Sequence, residues 1–165
     1  GGPSVQKSRN DIRKNIKVSI LKKNLFPKSF FDVIVCFHTL DHIVDPNDFL
    51  NISKSLLKTK GKVIFIVHNT QGLSVMLFGE KSPIFDIEHV FLFNKQNLSH
   101  LLKLNNFKSV KTFDVTNKYP LSYWIYLSPL PLSFKKKLLK FLKRTKIGSL
   151  PVSINAGNVG VFASK

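Results

Sequence analysis

Residues 31–42, FDVIVCFHTLDH, restrict what this chain can fold into more than any other stretch. Phe31 to Phe37 is a nearly unbroken apolar, β-branched run, too short for a helix and without the alternation of a strand wetted on one side. Such a run suits burial on both faces, as in the middle of a parallel sheet. It ends in His38, Thr39, Asp41 and His42, and ligands of open α/β sheets gather at the carboxyl ends of the strands. Function is therefore sought at this end.

The next segments extend that strand into a crossover unit. Asp45-Pro46-Asn47-Asp48 predicts a helix start: Asp45 can accept from exposed amides, and Pro46 lacks a donor that would go unused. Phe49, Leu50, Ser53, Leu56 and Leu57 share one helical face, and Gly61 is expected to close the helix in a left-handed turn. Lys62 to Val67 (KVIFIV) is a second buried-type run, followed by His68, Asn69 and Thr70. A right-handed strand–helix–strand unit puts the His38 and His68 clusters at the same sheet edge.

Around this unit, Gly1–Ser4 reads as a turn capping a short helix over residues 5–14, and Ile16 to Leu21 alternates like a strand. Residues 72–94 loosen into a lid containing Asp86, Glu88 and His89. Asn94 is expected to cap a helix carrying Leu98, Leu101, Leu102 and Leu104. Phe107 to Val115 and Val159 to Ala163 read as strands, the last entered through Gly157-Asn158. Tyr119 to Leu132 is expected to be a packed Pro/aromatic loop able to wall an apolar pocket. Ser133 to Ile147 is a basic amphipathic helix with a stripe of Phe134, Leu138, Phe141 and Leu142. Two readings of that helix stay open: a surface helix with solvated lysines, or a helix lying on an anionic membrane.

Composition narrows the function classes. With 165 residues, 43% of them hydrophobic, the chain can bury one domain core. The net charge of +17 admits an anionic partner, with nucleic acid less favoured than a lipid surface. The lysines are scattered apart from the late cluster, which favours solvated surface charge. Cys36, the single cysteine, lies in the buried-type run, so no disulfide forms within the chain and a reducing compartment is expected. No run approaches the roughly 18 apolar residues of a membrane span, and a cytoplasmic protein is expected. Neither strand is followed by a glycine-rich turn, so no phosphate cradle is seen. A metal set of His38, His42, His68, His89 and Asp86 can be drawn. His38 and His42 straddle a loop, however, and no metal site is expected.

The segment His38-Thr39-Leu40-Asp41-His42-Ile43-Val44-Asp45-Pro46 resembles the H-x-L-E-H-x-x-D-P signature of class I S-adenosylmethionine-dependent methyltransferases, with Asp41 for the usual Glu. Supporting likenesses are the Leu57-Lys58 to Gly61 turn, Asn69 after the next strand, Glu88-His89 in the lid, Asn106-Phe107 and Ala156-Gly157-Asn158. The resemblance implies an α/β, Rossmann-like sheet comprising strands three to seven of the family order 3-2-1-4-5-7-6, mixed, with an antiparallel C-terminal hairpin. It implies one domain over residues 1–165, N-terminally truncated, with a lid at 72–94 and an insertion at 119–147. The family's glycine-rich turn and the acid that binds the cofactor ribose have no counterpart here. Gly1–Ser4 resembles the G-x-E-P-S segment after the second strand, Leu21–Asn24 lacks the carboxylate that meets the adenine, and His68 replaces a Pro. Without strands one and two, a gap of about 14 Å separates the third from the fourth, which leaves an apolar edge to be covered by Ile16–Leu21 moving over to pair with Val33–Phe37, by a partner chain such as a second copy, or by the rest of a longer native protein.

By the same resemblance the cofactor is S-adenosylmethionine, with Cys36, Phe37, His38 and Leu40 at its methionine end. His42, Asn69 and His89 face a small-molecule acceptor, and His42 or His89 is the candidate base. Methyl transfer by part of a longer chain is the main expectation. The alternative is a degenerate, non-catalytic module that binds an anionic partner through its basic helix.

Overall fold

The computed structural model describes residues 5–165, so the turn expected at Gly1–Ser4 lies outside the described residues. Four strands form an open sheet: β1 (Phe31–Phe37), β2 (Leu57–His68), β3 (Lys108–Pro120) and β4 (Pro151–Ser164), in the spatial order β1-β2-β4-β3. β1 and β2 are parallel, with Val35, Cys36 and Phe37 opposite Ile64, Phe65 and Ile66. β4 runs antiparallel to both β2 and β3. This is the expected α/β, Rossmann-like mixed sheet. The helices are α1 (Asn10–Arg13), α2 (Pro46–Leu56), α3 (Leu73–Phe78), α4 (Lys95–Leu104), α5 (Leu121–Leu127) and α6 (Leu132–Thr145).

α2 and α4 start where their caps predict. The Asp45 carboxylate accepts from the Asp48 N–H at 2.9 Å, with Pro46 as the first helical residue. Asn94 accepts from the amides of Gln96 and Asn97, and the Asn97 side chain accepts in return from the Asn94 N–H, a reciprocal cap. Leu50 of α2 and Leu98 and Leu102 of α4 pack on Val63, Phe65 and Val67 of β2 and on Val159, Val161 and Ala163 of β4. Leu104, expected on that stripe, points away and is 64% exposed.

All of these contacts lie on one face of the sheet. The apolar run of β1 predicts two-sided burial, but Val35 and Phe37 are 55% and 54% exposed on the other face. Ile64 and Ile66 of β2, on that same face, are only partly covered. The run satisfies half of its pattern because both covering helices lie on the same side.

Several local expectations are corrected. Ile16 to Leu21 is not a strand; Val18 and Ile20 are 66% and 86% exposed, and among the described residues no strand pairs with the segment. Alternation supplies one face of a strand, and a neighbouring strand must supply the hydrogen bonds. The left-handed residue after α2 is Lys60 (φ 63°) rather than Gly61. Gly61 is needed for space, since a Cβ there would stand 2.9 Å from the Lys58 carbonyl oxygen. Within Tyr119–Leu132 the backbone forms α5 instead of a loop. β3 and β4 also outrun their predicted bounds, paired as far as Tyr119 with Val152 and Pro120 with Pro151.

Candidate active site

The carboxyl ends of β1 and β2 carry the site. β1 ends as His38 turns into the left-handed region (φ 47°) while its N–H donates to the Ile66 carbonyl at 2.8 Å. Imidazole side chains tolerate that conformation better than branched ones. A single 3-10 turn, Leu40–His42, then drives Leu40 into the core and buries Asp41 beneath the turn, where it is 1% exposed. The Asp41 carboxylate reaches across to β2, where its Oδ2 accepts from His68 Nδ1 at 2.8 Å. One buried carboxylate therefore ties the two strand ends together.

The same turn fastens the segment 72–94, called the lid after the expectation from the sequence. The Asp41 carbonyl accepts from the Val90 and Phe91 amides at 2.9 and 3.1 Å. His42 Nδ1 donates to the Glu88 carbonyl at 2.8 Å, because a carbonyl oxygen can only accept. Four imidazoles consequently form a row, with ring centroids 4.8 Å apart for His38–His68, 4.5 Å for His68–His89 and 4.8 Å for His89–His42.

Burial pushes the Asp41 carboxyl up, but the hydrogen bonds from the His68 ring and backbone N–H outweigh it, leaving the group below the usual carboxylate range and ionised. His38 is lowered by burial and then by His68, against the opposing pull of Asp41, which favours its neutral form. Burial raises the Cys36 thiol, so it stays protonated near neutrality.

Beyond His68 the chain turns back under the lid. The Asn69 N–H donates to Gly157 at 2.8 Å, the Asn69 side-chain oxygen accepts from the Gln71 N–H at 3.0 Å, and the Thr70 N–H donates to Phe93 at 2.8 Å. A Cβ on Gly72 would overlap Gly157 Cα, so the absence of a side chain lets the base of the lid lie directly on β4. The space left between α3, the β3/β4 hairpin and α5 is a cavity of about 620 Å³, in the range of small-ligand sites. Its walls are largely apolar and aromatic, with Leu73, Leu77 and Ile84 on the lid side and Tyr119, Tyr123 and Trp124 opposite. Trp124 is fixed by its Nε1–H, which donates to the Val152 carbonyl at 2.9 Å. His38 and His68 contribute imidazoles to the lining.

The candidates read from the sequence divide accordingly. His38, His42 and His89 are brought together. Cys36 is half-buried, and Phe37 lies on the bare face of the sheet. Leu40, expected beside the cofactor, is 0% exposed and serves the core. Asn69, expected to face an acceptor, is 5% exposed with its side-chain oxygen engaged by its own turn. The residue that sequence reasoning left without a role is His68. Its signal was its place at a strand end, but its partner Asp41 is 27 positions away and only folding reveals the pair.

The match of residues 3–112 to the methyltransferase domain shows that this chain belongs to that family. Among solved structures it is similar to a SAM-dependent methyltransferase from Archaeoglobus fulgidus, with 14% identity, TM-score 0.51, and 84% of this chain and 61% of that one covered. It is also similar to a SAM-dependent methyltransferase from Thermotoga maritima described as a possible histamine N-methyltransferase, with 14% identity, TM-score 0.56, and coverage of 86% and 58%. A third neighbour is phosphoethanolamine N-methyltransferase 2 of Haemonchus contortus, solved in complex with S-adenosyl-L-methionine, with 13% identity, TM-score 0.51, and coverage of 85% and 34%. The chain thus spans less than two thirds of the length of each of these three. Among curated proteins, none matches it.

Proposed function

We propose that the protein takes part in methyl transfer to a proton-bearing oxygen or nitrogen of a small, largely apolar acceptor held between the lid and the aromatic wall. The observation that carries this reading is the Asp41–His68 pair beside that cavity. The cofactor is S-adenosylmethionine, which supplies an electrophilic methyl on a sulfonium whose C–S electron pair stays with sulfur. Phe37, His38 and Cys36 are the residues to border its methionine end. A neutral His38 in front of an ionised Asp41 fits a cationic neighbour. With Nδ1–H engaged by Asp41, His68 has Nε2 free to take the acceptor's proton. His89 is the next ring in the row and His42 the one after it, so both stand as second candidates for the base.

In this reading the chain supplies one side of the site as part of a longer methyltransferase of the H-x-L-E-H-x-x-D-P branch. The bare apolar face of β1 and β2 supports this, since parallel sheets are ordinarily covered on both faces. A second copy of the chain is the other candidate to cover it. Calorimetry with S-adenosylhomocysteine tests the proposal. Saturable binding is expected from a polypeptide that completes the sheet, and weak or none from this chain alone. Failure of the completed polypeptide to bind would remove the enzymatic reading.

A second reading is favoured by α6. Leu132, Phe134 and Phe141 are 65%, 54% and 56% exposed among Lys135, Lys136, Lys137, Lys140 and Lys143. Here the domain is a non-catalytic module resting on an anionic lipid surface. Each lysine near such a surface contributes about 1 kcal/mol, so replacing Lys135, Lys136 and Lys137 by Gln should weaken co-sedimentation with phosphatidylserine vesicles about 100-fold. Unchanged co-sedimentation would count against the lipid surface.

A further inference from the structure

Asp41 uses only one of its oxygens on His68. Its Oδ1 is buried and has no hydrogen-bond partner, although the residue is 1% exposed. The nearest charged-pair contact is His42 Nε2 at 3.8 Å, too long for a hydrogen bond. That nitrogen is not free to point elsewhere. Because His42 Nδ1 donates to the Glu88 carbonyl, the neutral ring carries its lone pair on Nε2. His89 completes the group, with a buried Nδ1 that is also unpartnered. One ligand atom from each of Asp41, His42 and His89 lies within 4.8 Å of the others. Asp41 Oδ1 and His89 Nδ1 are buried without a partner in a group that also holds the His42 Nε2 lone pair, and a bound cation would satisfy all three.

We propose that Asp41, His42 and His89 form a binding site for a divalent transition-metal ion of the zinc class. Two histidine nitrogens and one carboxylate oxygen are a common protein ligand set for such an ion, with a further position left for water or substrate. The contact of 3.8 Å suits two ligands of a shared ion, which stand about 3.3 Å apart at a tetrahedral angle and about 4.1 Å apart if opposed. The supporting contacts are also present: Glu88 orients His42 through its carbonyl, and His68 holds the second oxygen of Asp41. Asp86, although close in sequence to His89, is not part of the group.

The ion would also have a structural consequence. His89 lies on the lid, whereas Asp41 and His42 lie on the turn after β1. A shared ion would hold its ligand atoms about 3.3 Å apart at a tetrahedral angle, which pins the lid to that turn. The inference goes beyond the proposed methyl transfer and does not depend on it, since ion binding is measured without cofactor or acceptor.

The test is calorimetric titration of the untagged, chelator-treated chain with Zn²⁺, alongside Co²⁺ titration followed by visible absorption. The expected result is one ion per chain with a tetrahedral-type Co²⁺ spectrum. His42→Ala and His89→Ala should each weaken binding at least about 10-fold, and His100→Ala, at an exposed position outside the row, should leave it unchanged. Circular dichroism of each variant separates lost ligands from lost folding. The wild-type titration keeps the proposal falsifiable even if a variant unfolds. Absence of saturable binding by the wild-type chain overturns the site. So does affinity unchanged in both His42→Ala and His89→Ala, or affinity lost only in His38→Ala.

Discussion

Phe65→Ala is expected to lower the free energy of unfolding by about 3–5 kcal/mol. Phe65 is 0% exposed at the centre of β2, opposite Cys36 on one side and Val161 on the other. Its ring centroid lies 6.0 Å from that of Phe49 on α2. It thus touches both halves of the single covered face, and no second core exists among the described residues to compensate for it. A domain's whole stability is about 5–15 kcal/mol, so the loss is a large share, worth on the order of 10 °C in melting temperature. Chemical denaturation of wild type and variant checks it. A loss under about 1 kcal/mol would show that the strand is not packed as described.

His68→Ala, made in a polypeptide competent for methyl transfer, is expected to lower kcat by about 10²- to 10⁴-fold, the usual contribution of a positioned general base. KM for the acceptor should change less than kcat, because most of the cavity wall is apolar side chain and His68 is one lining residue among many. The split between kcat and KM is the informative measurement. A structural role would disturb both constants, and an acceptor that carries no proton would leave kcat near wild type. The last outcome would reassign the Asp41–His68 pair from proton transfer to holding the strand ends together.

Much of the frame was legible before folding. The two apolar runs became β1 and β2, and Asp45 and Asn94 capped the helices they were expected to cap, because capping acts within one turn of backbone. The Ser133–Ile147 stripe became α6 within a residue or two at each end, yet of its four apolar residues only Leu142 is buried. Periodicity identifies a helix face but not what covers it. The same limit explains Ile16 to Leu21, where the alternation is present and the neighbouring strand is not.

The candidate site divides along the same line. That polar residues cluster after two buried-type strands is readable from residue order alone, and the crossover rule puts His38 and His68 at one edge. Which of those residues meet, and which are buried, depends on the folded chain. The 3-10 turn took Leu40 away from any ligand and buried Asp41 beneath it, and the return of the lid brought His89 into the row. The physical reason is range. Strand runs and caps are set by interactions between residues a few positions apart. The contacts that give the site its chemistry span 27 positions for Asp41 and His68 and 46 for His42 and Glu88, and the chain makes them only once the sheet has formed.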